Sequence, residues 1–325
     1  MKNYTIKRYE PQDKEQWKAF IDKAKNATFL FNRDFMEYHS DRFLDHSLIV
    51  LKNDKWQAVL PANISNNELF SHQGLTYGGL VYNQKIKLAT VIEIFRSILF
   101  FLHENAIEKL HIKTIPSIYH DKPAEELNYA LFLADAKLER RDSMSVLDLQ
   151  KEIVFSKEKK QSIRRGAKNS LVIKEDNDLK SFWNGILVPN MELKHEVKPV
   201  HSLNEIQKLQ GLFPDNIRHF NVYYNDKIVA GTTVFVSKNV AHPQYISGQA
   251  NKNELGSLDF LYNHLITDVF KDKHFFDFGI SNEEQGKKLN KGLIFWKETF
   301  GTSIIAHDFY EVQTANYSKL DNVII

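Results

Sequence analysis

This sequence contains no cysteine. Disulfides, thiolate metal sites and a cysteine nucleophile are therefore excluded. Histidine occurs thirteen times, but no His-Glu-x-x-His or comparable ligand spacing is found, so no metal is expected. Long apolar stretches are lacking as well. The longest run, Ser97 to Leu102, is far too short to cross a bilayer. The first residues, Met1 to Glu10, are charged and have no apolar centre. No signal peptide is expected from them, and the cytoplasm is the expected compartment. A large charge of one sign is also missing. With 43 basic and 41 acidic residues the net charge is +2, which gives no bulk electrostatic case for DNA or a membrane. The stretch Gly286 to Gly292 has the wrong spacing and order for a phosphate-binding Walker loop. There is no Gly-x-Ser-x-Gly elbow and no Gly-x-Gly-x-x-Gly turn.

What is present is an ordinary soluble globular composition, 42% hydrophobic and 26% charged. A length of 325 residues suggests two domains, here 1–150 and 151–325. In the first half, strands are expected at 4–9, 46–51, 56–64, 69–82 and 109–115, with a strand pair or long strand at 137–149. Helices are expected at 13–25, 33–43, 88–104 and 124–135. The helix at 88–104 carries the strongest signal: Leu88, Val91, Ile92, Phe95, Ile98, Leu99 and Leu102 share one broad face. The second half repeats the order. Strands are expected at 171–174, 221–224, 228–236 and 242–250, and helices at 179–187, 203–212 and 258–270. A final stretch, His274 to Gly301, reads as a buried aromatic strand, a polar loop and a helix. That helix places Leu289, Leu293, Trp296 and Phe300 on one face, with Gly301 as its C-cap. A strand from 303 to 312 closes the chain. Each half therefore reads β-α-α-β-β-β-α-β-α-β. Between them, 151–170 is strongly basic and lacks the proline and glycine of a flexible linker, so a bridging helix is expected there.

That doubled order resembles the GNAT acyltransferase superfamily, and more narrowly the tandem-GNAT proteins related to the Fem peptidyltransferases of bacterial cell-wall synthesis. Ser162 to Lys168 is similar to the basic helix that opens the second domain there. Val229 to Phe235 resembles the family's central strand. Phe276 to Gly279 and Phe295 to Gly301 resemble its fifth strand and fourth helix. One departure stands out. The Arg/Gln-x-x-Gly-x-Gly/Ala loop for the acetyl-CoA pyrophosphate is replaced by Asn251 to Ser257. The resemblance implies an α/β fold of two tandem GNAT-like domains, each a mixed, splayed sheet flanked by helices. It implies an acyltransferase, with catalysis in the second domain and a degenerate first domain that shapes the acceptor site. Acyl-CoA is the expected donor, and an amine of an amino sugar or amino acid in a cell-envelope polymer the expected acceptor. Transfer from an aminoacyl-tRNA is one alternative, and a non-catalytic scaffold with the same fold is another.

Acyl transfer to an amine requires proton removal, stabilisation of an oxyanion and protonation of the leaving group. Asp277, on the aromatic strand, and Glu283, in the loop, are the candidate bases, since burial raises a carboxyl pKa toward neutrality. Tyr245 and Tyr310 are the candidate proton donors. In a splayed sheet, Ser247 and Gly248 would offer backbone N–H groups to the acyl carbonyl. Gly256 and Ser257, before a helix, would do the same for a phosphate. Lys297, Arg164 and Arg165 are further donor-binding candidates. His72, Tyr77 and Gly78 in the first half, with Ser281 and Asn290 in the second, are the acceptor-binding candidates. Structural roles stay open for each: Gly248 as a bulge, Asp277 as partner of Lys297, the tyrosines as half-buried sheet residues, the arginines as a solvated helix face.

Overall fold

The computed structural model describes residues 4–176, 178–195 and 198–325. Met1 to Asn3 of the charged N-terminus lie outside the described residues. The chain divides into two compact units, Met1–Asp142 with Ala306–Ile325, and Ser143–Ile305. Both are mixed α/β structures, and together they make the fold two tandem GNAT-like domains.

The first unit contains β1 (Thr5–Arg8), α1 (Lys14–Ile21), α2 (Arg33–Met36), β2 (Leu44–Asp45), β3 (Leu48–Lys52), β4 (Lys55–Leu60), β5 (Asn63–Ser65), β6 (Glu68–Phe70) and β7 (Val81–Tyr82). These are followed by α3 (Leu88–Glu104), β8 (Lys109–Lys113), α4 (Glu126–Leu133) and the start of β9 (Lys137–Asp148). Strands β1, β3, β4 and β7 form one antiparallel sheet. Strand β6 lies parallel to β8. Helix α3 buries Val91, Ile92, Ile94, Phe95, Ile98, Leu99 and Leu102 in the core, as its periodicity predicts. The β3–β4 turn places Asn53 and Asp54 at φ 49° and 60°, the positive pair that a two-residue hairpin needs and that Asn and Asp tolerate.

Several expected elements are shorter or divided. The helix at 13–25 is a 3-10 turn at Pro11–Asp13 followed by α1, and that at 33–43 is α2 with a further turn at Glu37–His39. The single strand expected at 69–82 is β6 and β7 with a folded loop between them. His72 turns the chain at φ 64°. Gly78 then lies so close that a Cβ there would meet the Ser71 carbonyl oxygen at 1.9 Å, a contact that a regular strand cannot make.

The second unit begins within β9 and contains α5 (Lys157–Lys168), β10 (Val172–Glu175), α6 (Leu179–Phe182), α7 (Val188–His195), α8 (Leu203–Leu212), β11 (Ile217–Tyr224), β12 (Lys227–Val236) and β13 (Val240–Gly248). Then come α9 (Lys252–Leu255), α10 (Ser257–His264), β14 (Phe275–Ile280), β15 (Asn282–Glu283), β16 (Lys288–Leu289), α11 (Lys291–Glu298) and the start of β17 (Ser303–Gln313). The sheet runs β10-β11-β12-β13-β14-β9. The β11–β12 and β12–β13 pairs are antiparallel, whereas β13 and β14 are parallel. A π turn at Trp183–Leu187 joins α6 to α7, and another at Leu265–Val269 extends α10. Helix α8 starts with a capping box: Ser202 accepts from the Glu205 N–H and Glu205 from the Ser202 N–H.

Helix α5 packs inside this unit rather than bridging, with Gly166 set against Phe260 of α10. The helix after the aromatic strand starts later than its apolar spacing suggests. Glu284, Gln285 and Gly286, at φ 47°, 55° and 84°, turn a small β15–β16 hairpin. Leu289 belongs to that hairpin and is exposed. Asn290 then caps α11 by accepting the Leu293 N–H at 3.0 Å. Gly301 does end this segment, in the left-handed region at φ 85°.

Candidate functional site

The central feature of the second unit is a fork in its sheet. Strand β13 is in register with β14 only at Val240 with Phe275 and Ala241 with Phe276. Beyond Ala241 it stays paired with β12 as far as Gly248. Its other edge has no strand partner there among the described residues. Strand β14 instead follows β9, with an irregularity between Asp277 and Ile280.

Polar side chains lock the base of the fork. His242 Nδ1 stands 3.0 Å from the Asp277 carbonyl oxygen and 3.1 Å from its carboxylate Oδ2. Asp277 Oδ1 accepts the Gly279 N–H at 2.7 Å. Burial works against charge on the imidazole, but the Asp277 carboxylate and the hydrogen bonds to it outweigh that and raise its pKa. Lys297 of α11 donates to the carbonyls of Gly279 at 2.9 Å and Ile280 at 2.6 Å. Burial pushes this amine down to about 8, partly offset by Asp277.

A cavity of about 520 Å³ opens at the end of β13. Its floor is Ile246, Ser247 and Gly248. Its walls are Asn190 and Met191 of α7, Lys252, Asn253, Leu258 and Asp259 at the start of α9 and α10, and Asn290, Gly292, Leu293 and Trp296 at α11. Asn190 Nδ2 donates to Ser247 Oγ at 2.8 Å and to the Gly248 carbonyl at 2.9 Å, tying α7 to the end of the strand. Elsewhere on the lining, Asp259 Oδ1 accepts from Lys159 Nζ at 2.5 Å and from Trp296 Nε1 at 2.8 Å. Burial lowers the Lys159 pKa, while the Asp259 carboxylate pulls it back up. The Lys159 ammonium also lies 3.8 Å from the centroid of the Phe300 ring.

Of the residues singled out in the sequence, Ser247, Gly248 and Asn290 line this cavity. Asp277 and Lys297 form the lock beneath the fork and are not among the lining residues. Ser281 is buried and receives the Asn290 N–H at its carbonyl. Glu283 is exposed on the hairpin and accepts from Asn290 Nδ2 at 2.8 Å. The Tyr245 hydroxyl is bonded to both the His201 ring and the His201 N–H. Arg164 and Arg165 lie exposed on α5.

Gly256 and Ser257 are buried and stand outside the cavity lining. Gly256 has φ 70°, and a Cβ on it would meet the Ser162 carbonyl oxygen at 2.4 Å. The backbone of α5 therefore packs directly on Gly256, whereas Leu258 and Asp259 of the first turn of α10 line the cavity.

The remaining candidates sit in the first unit. Tyr310 pairs with Ile112 in the sheet, and its hydroxyl donates to Asp308 at 3.2 Å. His72 is stacked on His39, and burial drives its pKa down to about 3. Tyr77 donates to Thr28 at 3.1 Å, and the Gly78 N–H to the Lys113 carbonyl at 2.8 Å. Sequence reasoning missed Asn190, Met191, Asp259 and Trp296 as cavity walls. Lys252 and Asn253 did carry a signal, since they stand in the stretch that departs from the usual pyrophosphate loop.

No family model matches the sequence, and no curated protein matches it. Solved structures do. FemX superposes with a TM-score of 0.68 at 9% identity, covering 98% of this chain and 99% of that one. The C-terminal domain of a candidate lysylphosphatidylglycerol synthetase from Agrobacterium fabrum gives 0.62 at 13% identity, with 94% of each chain covered. A tandem GNAT protein from the clavulanic acid biosynthesis pathway gives 0.52 at 11%, covering 96% of this chain and 99% of that one. At such identities the likeness carries the fold, and that fold is the tandem GNAT fold of Fem-like transferases.

Proposed function

We propose that the second unit is an N-acyltransferase that moves an acyl group onto an amine in the cavity at the end of β13. The observation that carries this reading is the fork. An unpaired strand edge beside an open cavity leaves backbone groups free for a reacting carbonyl, which is what stabilising a tetrahedral oxyanion requires. A fork filled throughout with side chains would have suited a scaffold. Here His242 fills only its base, and the cavity opens beyond.

The resemblance implies two donors, acyl-CoA and the aminoacyl ester of a charged tRNA. The absence of the Arg/Gln-x-x-Gly-x-Gly/Ala loop, with Asn251 to Ser257 in its place, favours the aminoacyl ester. Gly256 and Ser257, the residues that would have to receive an acyl-CoA pyrophosphate, are buried, and α5 packs on Gly256. The charged tRNA needs no phosphate site there. It would instead meet the exposed basic face of α5, where Lys157, Lys160, Arg164 and Lys168 recur at helical spacing. The acceptor class that fits the family resemblance is the amine of an amino sugar or amino acid of an envelope polymer. In this reading Asp277 is a positioning residue that holds His242 in the fork.

The test supplies the purified protein with acetyl-CoA, longer acyl-CoAs or alanyl-tRNA, together with amino sugars and amino acids, and follows formation of the amide by mass spectrometry. The expected result is amide formation from the charged tRNA. Transfer from acyl-CoA alone would overturn the donor assignment. Absence of transfer from every donor, in protein that binds none of them, would overturn the enzymatic reading.

A further inference from the structure

The Lys159–Asp259–Trp296 group lies on the cavity wall, and the acyl-transfer reading leaves it without a task. Its connections are unequal. Both donors, the Lys159 ammonium and the Trp296 indole N–H, bond to the same carboxylate oxygen, Asp259 Oδ1. The second oxygen, Oδ2, accepts no hydrogen bond among the described residues. Asp259 and Trp296 both line the cavity, alongside apolar Met191, Ile246, Leu258 and Leu293. Asn190, also on the lining, donates through Nδ2 in both of its hydrogen bonds, which leaves its Oδ1 as an acceptor among the described residues. A carboxylate fixed through one oxygen cannot rotate freely. Its other oxygen keeps its acceptor capacity at the wall of a cavity that Trp296 and the Lys252 side chain also line, and the Lys159 ammonium lies 5.0 Å from the Trp296 ring centroid.

We infer that Asp259 Oδ2, with the Trp296 ring beside it, binds the ammonium group of a ligand in this cavity. An ammonium supplies several N–H donors to free acceptors and is attracted to an aromatic face. Neutral or anionic polar heads gain less, because the free oxygens accept and do not donate. The inference rests on the proposed acyl transfer and narrows it. The ammonium belongs either to the α-amino group of an aminoacyl donor or to the amine of the acceptor. In the second case the acceptor binds as the ammonium and loses one proton to solvent; the amine then attacks the acyl carbon, the C–N bond forms as the acyl–oxygen bond of the ester breaks, and the second proton lost by the nitrogen goes to the leaving hydroxyl.

The experiment measures binding by calorimetry for two matched pairs of probes. One pair is a stable 3′-alanylamido-adenosine and its N-acetyl derivative, standing for the donor. The other is glucosamine and N-acetylglucosamine, standing for the acceptor. A charge-assisted hydrogen bond in a shielded site makes about a tenfold difference or more in affinity. Wild type is expected to prefer the free amine by about that factor in one pair, and the pair that shows it identifies the source. Asp259→Asn alone would leave the Lys159 charge buried without its partner and is at risk of misfolding. The double variant Lys159→Met/Asp259→Leu removes the pair together, a replacement that buried ion pairs commonly tolerate. It should abolish the preference, so that the free and acetylated probes of that pair bind alike. Equal binding of free and acetylated probes by wild type overturns the inference, and so does a preference that survives in the double variant. If wild type transfers acyl groups but shows no preference, only this inference fails. If the preference holds and no donor is turned over, the acyl-transfer reading fails and the ammonium site stands.

Discussion

Replacing Gly256 by alanine tests the packing of α5 on the residue that precedes α10. Gly256 sits at φ 70°, where a side chain costs roughly 1 kcal/mol. The added carbon would stand 2.4 Å from the Ser162 carbonyl oxygen and 3.2 Å from the Gly166 backbone nitrogen. Both atoms belong to the backbone of α5, so no change of rotamer relieves the clash. The helix must move off α10, which loosens Gly166 against Phe260 and the Lys159–Asp259 pair. Overpacking of this kind costs about 1–3 kcal/mol, so the expected loss is about 2–4 kcal/mol. For a domain of this size that lowers Tm by roughly 5–15 °C. Gly211→Ala is the control. It lies on α8 with nothing within 4 Å of the added carbon, and should stabilise by up to about 1 kcal/mol. Urea and thermal unfolding of both variants are the assay. Wild-type stability in Gly256→Ala would refute the packing of α5 on α10.

Three further outcomes are expected. Burial holds the Lys297 amine at about 8 against an ordinary 10.5. The unfolded chain therefore binds more protons between those values, and stability should rise with pH through that window, by about 3 kcal/mol. Lys297→Met should flatten this rise, whereas equal slopes for the two proteins in urea unfolding from pH 7.5 to 10.5 would count against the buried amine. Asn190→Ala removes the bonds that tie α7 to Ser247 and Gly248. It should lower kcat/KM for acyl transfer about tenfold or more while stability falls by only about 1–2 kcal/mol; unaltered kinetics would argue against this cavity as the site. The double variant Arg164→Gln/Arg165→Gln should unfold like wild type, because both residues are exposed. Its affinity for charged tRNA should fall, and depend less steeply on salt. Salt curves that coincide with wild type would leave α5 as a solvated face.

Much of the fold was legible in the residues because hydrophobic periodicity is a local signal. The face of α3 from Val91 to Leu102 and the meander of β11, β12 and β13 follow from side chains that must point one way to be buried. Turn chemistry was legible where Asn and Asp pairs stand between strands, as at Asn225 and Asp226, with φ 48° and 59°. It was misread where a loop folds back on its own backbone, as Gly78 does on Ser71, since no periodicity marks such a contact. The site divides in the same way. Ser247 and Gly248, singled out through the splayed sheet that the family resemblance implies, and Asn290 line the cavity. Asn190 and Asp259 were not singled out, because what makes each a cavity wall is a bond to a residue 57 or 100 positions away. The packing of α5 on Gly256 was equally beyond reach, since the Ser162 carbonyl that meets it stands some ninety residues earlier in the chain. Sequence determines which faces must be buried; only the packed chain decides which polar groups are consumed by that burial and which remain to meet a ligand.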